Sequence, residues 1–172
     1  MSLRQRRIRL RRNIAHRTMA VLACKIVEVC IFKFENDRPW YLLLHRSKDE
    51  KIYPGIWQFV SGSIEGDEKA VEAALRELNE ETGMKPKGFW VVPFVNSFYD
   101  PGYDAVNLSP LFAAQVEIGD APKLSHEHFE FEWFSYADAV RKLVWPGQRE
   151  ALRIVHEYIV EGQSVVKLTR IR

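Results

Sequence analysis

The amino-acid sequence predicts an α+β fold, with a mixed and partly antiparallel sheet held between helices. Three observations predict it. Two runs rich in β-branched and aromatic residues, "VLACKIVEVCIFKF" and "PWYLLLHR", are separated only by "ENDR", as in an antiparallel pair. A central segment from Asp67 to Thr82 carries helical periodicity and stops at a glycine. Farther on, "ADAVRKLV" and "GQREALRIVHEYIV" repeat that periodicity on either side of Pro146.

The remaining elements follow in chain order. "SKDEKIYPG" reads as an exposed loop, and "IWQFV" as a short strand leading into Gly62. Asp67 is expected to cap the central helix and Gly83 to end it. "GFWVVPFVNSFY" and "NLSPLFAAQVEI" read as strands with the turn-rich "DPGYD" between them, and "EFEWFSY" as the last strand of the sheet. A chain of 172 residues with 47% hydrophobic content suits one soluble globular domain with its own core. No apolar run reaches the length of a membrane span, so no membrane partner is expected.

The net charge of +2 conceals an asymmetry. "MSLRQRRIRLRRNIAHR" holds seven of the 25 basic residues and no acid, so the rest of the chain is net acidic. Residues 1–18 are read as an Arg-rich, disordered extension and residues 19–172 as the domain. Such a start is compatible with a targeting segment, a nucleic-acid arm or an extension ahead of a start at Met19, and most simply with a solvated tail. Cys24 and Cys30 sit at even spacing in one predicted strand, which points them to one side of the sheet rather than toward each other. They lack the paired spacing of a zinc site, and a reduced, cytoplasmic setting is expected.

The central helix poses an electrostatic problem. Glu77, Glu80 and Glu81 crowd its last turn, where the helix dipole disfavours acids by about 0.3 to 1 kcal/mol each, and where like charges three and four residues apart repel. They share one arc beside the apolar arc of Val71, Ala74, Leu75 and Leu78, and the helix pattern sets no basic residue beside them. A divalent cation that prefers oxygen would turn this repulsion into coordination.

From Gly62 the chain reads Gly, five residues, Glu68, seven residues, then Arg76-Glu77-Leu78-Asn79-Glu80-Glu81-Thr82-Gly83-Met84. This pattern resembles the signature of the Nudix hydrolase family. The resemblance implies an α/β/α sandwich with the signature helix on one side of the sheet, and hydrolysis of a diphosphate linkage with magnesium, or with manganese in its place. By the same resemblance Glu77 and Glu81 would be the main metal ligands, Glu80 a further ligand or the base, and the Ser61 backbone carbonyl one more oxygen. Arg76 would orient the glutamates by bidentate pairing with Glu68 or Glu77, and Gly62 would permit the close turn into the helix. The chain departs from many members in carrying Ser61-Gly62 and Gly66-Asp67 where they have paired glycines and Pro-Gly.

Two further stretches, "GIWQFVSGSIE" and "HEHFEFEWFSYADAVRKLVWPGQREAL", resemble the bacterial dihydroneopterin triphosphate and dATP pyrophosphohydrolases. In that group the acid of a Glu-His pair reaches the metal site, which here corresponds to Glu127. Arg46 matches a position that contacts substrate phosphate. Trp57, Phe98, Tyr99 and Tyr103 are expected near the cleft, where they could stack on a purine or pterin. His126 and His128 are expected to shape the loop rather than bind metal, because a hard cation prefers oxygen. The base stays open among Glu80, Glu81 and Glu127.

The resemblance thus implies a pyrophosphohydrolase that cleaves a small nucleoside or pterin triphosphate to monophosphate and pyrophosphate. A dinucleoside polyphosphate or nucleotide-sugar hydrolase is one alternative. The other is a non-catalytic nucleotide- or RNA-binding module with the basic arm on phosphates, against which the complete set of acids speaks. A small phosphorylated molecule is the expected partner, and a homodimer is compatible with this reading.

Overall fold

The first apolar run supplies the middle of the sheet. Strand β2 (Ile26–Glu35) turns through Asn36 and Asp37, both at positive φ of 51° and 59°, into antiparallel β3 (Arg38–Arg46). A two-residue hairpin needs left-handed backbone at both positions, which Asn and Asp tolerate. The structure, a computed structural model, describes residues 20–119, 121–162 and 166–171; the Arg-rich segment 1–18 lies outside the described residues.

The single first strand expected from sequence is two strands. Both β1 (Val21–Ala23) and β2 run parallel to β7 (Ala105–Gln115), with Ala23 opposite Asn107 but Glu28 opposite Leu111, so one extra residue is accommodated around Cys24 and Lys25. A one-residue slip swaps the faces that side chains take. Cys24 is accordingly exposed and Cys30 buried, both as free thiols, which corrects the expectation of a shared face.

The "IWQFV" run also divides. Where β2 and β3 splay apart, the chain from Trp57 to Ser63 enters the fork. There β4 (Trp57–Gln58) pairs with β3 and β5 (Val60–Ser63) with β2. Strand β6 (Gly88–Asp100) forms a long hairpin with β7, and β8 (His128–Phe134) closes against β3. The sheet is mixed, and among the described residues its parallel strand pairs both include β7.

Alternation along the central strands builds two cores. Val27, Val29, Ile31, Leu42, Leu44 and Phe112 pack against Ala73, Ala74 and Leu78 of α1 (Ala70–Thr82). On the other face Cys30, Phe32, Tyr41, Leu43 and Leu111 meet α2 (Tyr136–Lys142) and α3 (Pro146–Ile154), which continues as a wider π-helical turn, Val155–Val160. Strands covered on both faces read as nearly continuous apolar runs. Pro146 takes the first position of α3, where a missing N–H costs nothing, and a short α4 (Val166–Thr169) follows. The expected sandwich of sheet between helices is what forms. Among the described residues no helix is long and apolar enough to cross a membrane.

Candidate active site

Helix α1 starts later than its sequence suggests. The Lys69 backbone N–H donates to Glu72 Oε2 at 2.8 Å, making Lys69 the capping position, while the loop before it closes on itself through Glu65 N–H to Glu68 Oε1 at 2.7 Å. That turn occupies the residues around Asp67, so Asp67 is not the cap. The helix ends as expected, with Gly83 at φ +67° donating to the Asn79 carbonyl at 2.7 Å.

Seven residues separate Ala74 from Glu81, nearly two whole turns, so Glu81 falls on the face that packs against the sheet. It is only 4% exposed, and its Oε2 has no hydrogen-bond partner. Burial first, and then the charges of Glu77 and Glu127, push its proton affinity well above the ordinary carboxylate value; the Ser61 backbone N–H and the Arg46 guanidinium oppose this. Glu77 is half-buried and raised as well, mainly by desolvation, with Glu80 and Glu127 adding repulsion against the pull of Arg76. Glu80 is exposed.

The helix pattern alone places no basic residue beside these acids, but Arg76, which the family resemblance pairs with Glu68 or Glu77, stands there. Arg76 holds Glu68 bidentately at 2.7 and 3.2 Å, and through one nitrogen bonds both Glu77 at 2.8 Å and Glu80 at 2.9 Å. Its Nη2, one of the two nitrogens on Glu68, also donates to the Ser63 carbonyl at 2.7 Å, so one guanidinium ties α1 to the preceding loop and to β5. This pairing holds Glu68 below its ordinary range. At Gly62 an added Cβ would land on the Glu77 carboxyl group, so only glycine lets that acid lie against β5.

The second half of the cluster comes from β3 and the loop before β8. Ser47 N–H donates to the Glu127 carbonyl at 2.8 Å, and Arg46 lies 3.6 Å from Glu127 Oε2 while bonding Glu50 at 3.2 Å and the Ile52 carbonyl at 2.8 Å. The structure therefore brings Arg46, Ser61, Arg76, Glu77, Glu80, Glu81 and Glu127 into one neighbourhood. The four aromatic candidates are placed by other contacts. Trp57 stacks on His45 with centroids 4.4 Å apart and meets Phe134 edge-on, whereas Phe98 and Tyr99 lie exposed on β6, Tyr99 donating to Asp104 at 3.0 Å. Tyr103 is on the exposed turn that follows.

One group was expected only to shape its loop, and another escaped the sequence reading. His128 is fully buried beside Glu81, and burial together with the Arg46 charge holds it neutral, pushed down to about 4. Glu28, buried on the opposite face of β2, accepts hydrogen bonds from Asn96 and Gln148 at 3.2 Å each. Its signal was available as an acid within the apolar run Ile26–Phe32. Nothing in the sequence marked the inward direction of His128, which depends on a bulge in β8.

Among the described residues no three His, Cys, Asp or Glu side chains converge on a common point as they stand, since Arg76 engages both Glu77 and Glu80. The donor set nonetheless suits a hard divalent cation in kind. Its members are carboxylate oxygens, they repel one another, and Glu81 Oε2 is buried and unsatisfied, an arrangement that a cation relieves.

Known proteins resemble this chain in sequence and in fold. A Myxococcus xanthus octanoyltransferase is 29% identical over 136 residues, 75% of this chain; the chain spans only 36% of that relative. The nucleoside triphosphatase NudI of Escherichia coli O139:H28 is 25% identical over 127 residues, 70% of this chain and 89% of that protein. In structure, a C. elegans Ap4A hydrolase superposes with a TM-score of 0.70 at 20% identity, covering 81% of this chain and all of that one. The E. coli dihydroneopterin triphosphate pyrophosphohydrolase does so with 0.63 at 21%, covering 80% and 95%. The NUDIX domain model matches residues 25–154, most of the described sheet together with α1 to α3, and the chain belongs to that family, the Nudix hydrolases.

Proposed function

We propose that the chain is a metal-dependent pyrophosphohydrolase that cleaves a small nucleoside or pterin triphosphate into a monophosphate and pyrophosphate. The observation that carries this reading is Glu81, a buried carboxylate with an unpartnered oxygen, ringed by Glu77 and Glu127 and faced by Arg46. The similarity to a nucleoside triphosphatase over most of its length supports the substrate class.

A divalent cation, magnesium or manganese, would supply neutralisation of phosphate oxygens and a water of lowered pKa. Glu77 and Glu81 would hold it, with Glu80, Glu127 and the Ser61 carbonyl as further oxygens. Arg76 sets the positions of Glu77 and Glu80 by the bonds it already makes. Arg46 offers a guanidinium to the substrate's phosphates, exchanging its long contact with Glu127 for a phosphate oxygen. Water attacks phosphorus, the α,β-anhydride bond breaks with its electrons leaving on pyrophosphate, and the water proton passes to one of Glu80, Glu81 or Glu127.

A substrate panel with magnesium, products separated and identified, tests the reading. Monophosphate plus pyrophosphate from dATP or dihydroneopterin triphosphate is expected. Orthophosphate plus diphosphate, or turnover of diadenosine tetraphosphate alone, would overturn it.

A further inference from the structure

Two buried polar atoms face each other across the interior and neither has a partner. Glu81 Oε2 and His128 Nδ1 are 3.7 Å apart, and no hydrogen bond reaches either one. On the far side of the imidazole, Nε2 lies 3.3 Å from the Gln58 amide nitrogen. An amide nitrogen only donates, so Nε2 must accept, and the proton of the neutral ring sits on Nδ1, aimed at Glu81. The strand is shaped to this end. His128 pairs with Arg46 and Glu130 with His45, so Phe129 is the extra residue of a bulge, and the bulge turns His128 inward while Phe129 is exposed.

We propose that His128, held in one tautomer by Gln58, is a positioning residue for Glu81: its Nδ1–H donates to Oε2 and fixes which oxygen the carboxylate turns toward the acid cluster. The inference rests on the hydrolase reading above. At 3.7 Å the pair stands short of a hydrogen bond by roughly half an ångström, a shift that a side chain can supply when Glu81 engages a cation. Outer partners of this kind set the orientation of a ligand and contribute about 10- to 100-fold to metal affinity or activity.

The test uses the full chain and three variants: His128→Leu, which removes the donor; His128→Asn, which keeps an N–H near the Nδ1 position; and Gln58→Leu, which frees the tautomer. Manganese binding is read by electron paramagnetic resonance of the free ion, alongside kcat and KM for dATP and the melting temperature. His128→Leu is expected to weaken manganese binding and lower kcat by about 10- to 100-fold with KM nearly constant. His128→Asn should recover most of both, and Gln58→Leu should fall between. Manganese affinity and kcat unchanged in His128→Leu would overturn the inference, as would equal losses in His128→Leu and His128→Asn with both folded. Failure of the hydrolase reading is distinguishable, because the unsubstituted protein would then neither bind manganese nor turn over dATP.

Discussion

The two faces of the sheet each bury a carboxylate, and they treat it in opposite ways. Glu28 sits between Asn96 and Gln148, whose amide nitrogens both donate to it. Glu81 receives one backbone N–H, keeps one oxygen unsatisfied, and has two further acids bearing on it. Burial raises the proton affinity of both. Only Glu28 is supplied with neutral donors sufficient to be a finished structural feature. An unsatisfied carboxylate amid like charges costs stability, and such a cost points to a site completed by something the chain itself does not provide.

The sharpest way to break this contrast is to neutralise Glu81. Glu81→Gln is expected to abolish measurable turnover on a nucleoside triphosphate with magnesium while the metal-free protein melts at the same or a higher temperature, because repulsion from Glu77 and Glu127 disappears. Undiminished kcat would make Glu81 a second structural acid like Glu28. Next in size is Glu127→Gln, expected to lower kcat by about 10²- to 10⁴-fold if its carboxylate takes or relays the water proton. Glu130→Gln serves as its control, since Glu130 pairs with His45 at 3.0 Å on the surface and should leave kcat nearly unchanged. Equal small effects would remove Glu127 from the chemistry.

Gly62→Ala should produce an intermediate loss. Its methyl group would displace the Glu77 carboxylate from β5, and isothermal titration with manganese should show affinity reduced by roughly 10- to 100-fold, the scale of a misplaced ligand. Retained affinity would mean that Glu77 binds from another position.

The smallest effect belongs to Glu28. Its proton affinity is raised in the folded state above the ordinary 4.5, so the folded chain binds more protons than the unfolded chain between those two values. Stability therefore falls as pH rises through that window, and the cost is complete above it. Glu28→Gln removes the cost. Its melting temperature at pH 8 should exceed that of the unsubstituted protein by about 2 to 4 °C, as for roughly 1 kcal/mol in a domain of this size, and the difference should narrow as pH falls toward 5. A difference independent of pH would assign the effect to hydrogen bonding instead.

The sequence by itself determined what is local. The spacing of Glu77, Glu80 and Glu81 on one helix, Gly83 at its end, and Asn36-Asp37 at the hairpin all act within a few residues, where backbone geometry alone decides the outcome. Tertiary structure decided which of those acids was buried, because only the sheet beneath α1 distinguishes Glu81 from Glu80. It also moved the cap from Asp67 to Lys69 and divided the first strand, through contacts that no window of periodicity contains. The partners of Glu28 are 68 and 120 residues away, and His128 reaches Glu81 only through a one-residue bulge opposite β3. A bulge reverses the facing of a side chain without changing composition, so its consequence becomes visible only when the strands are paired.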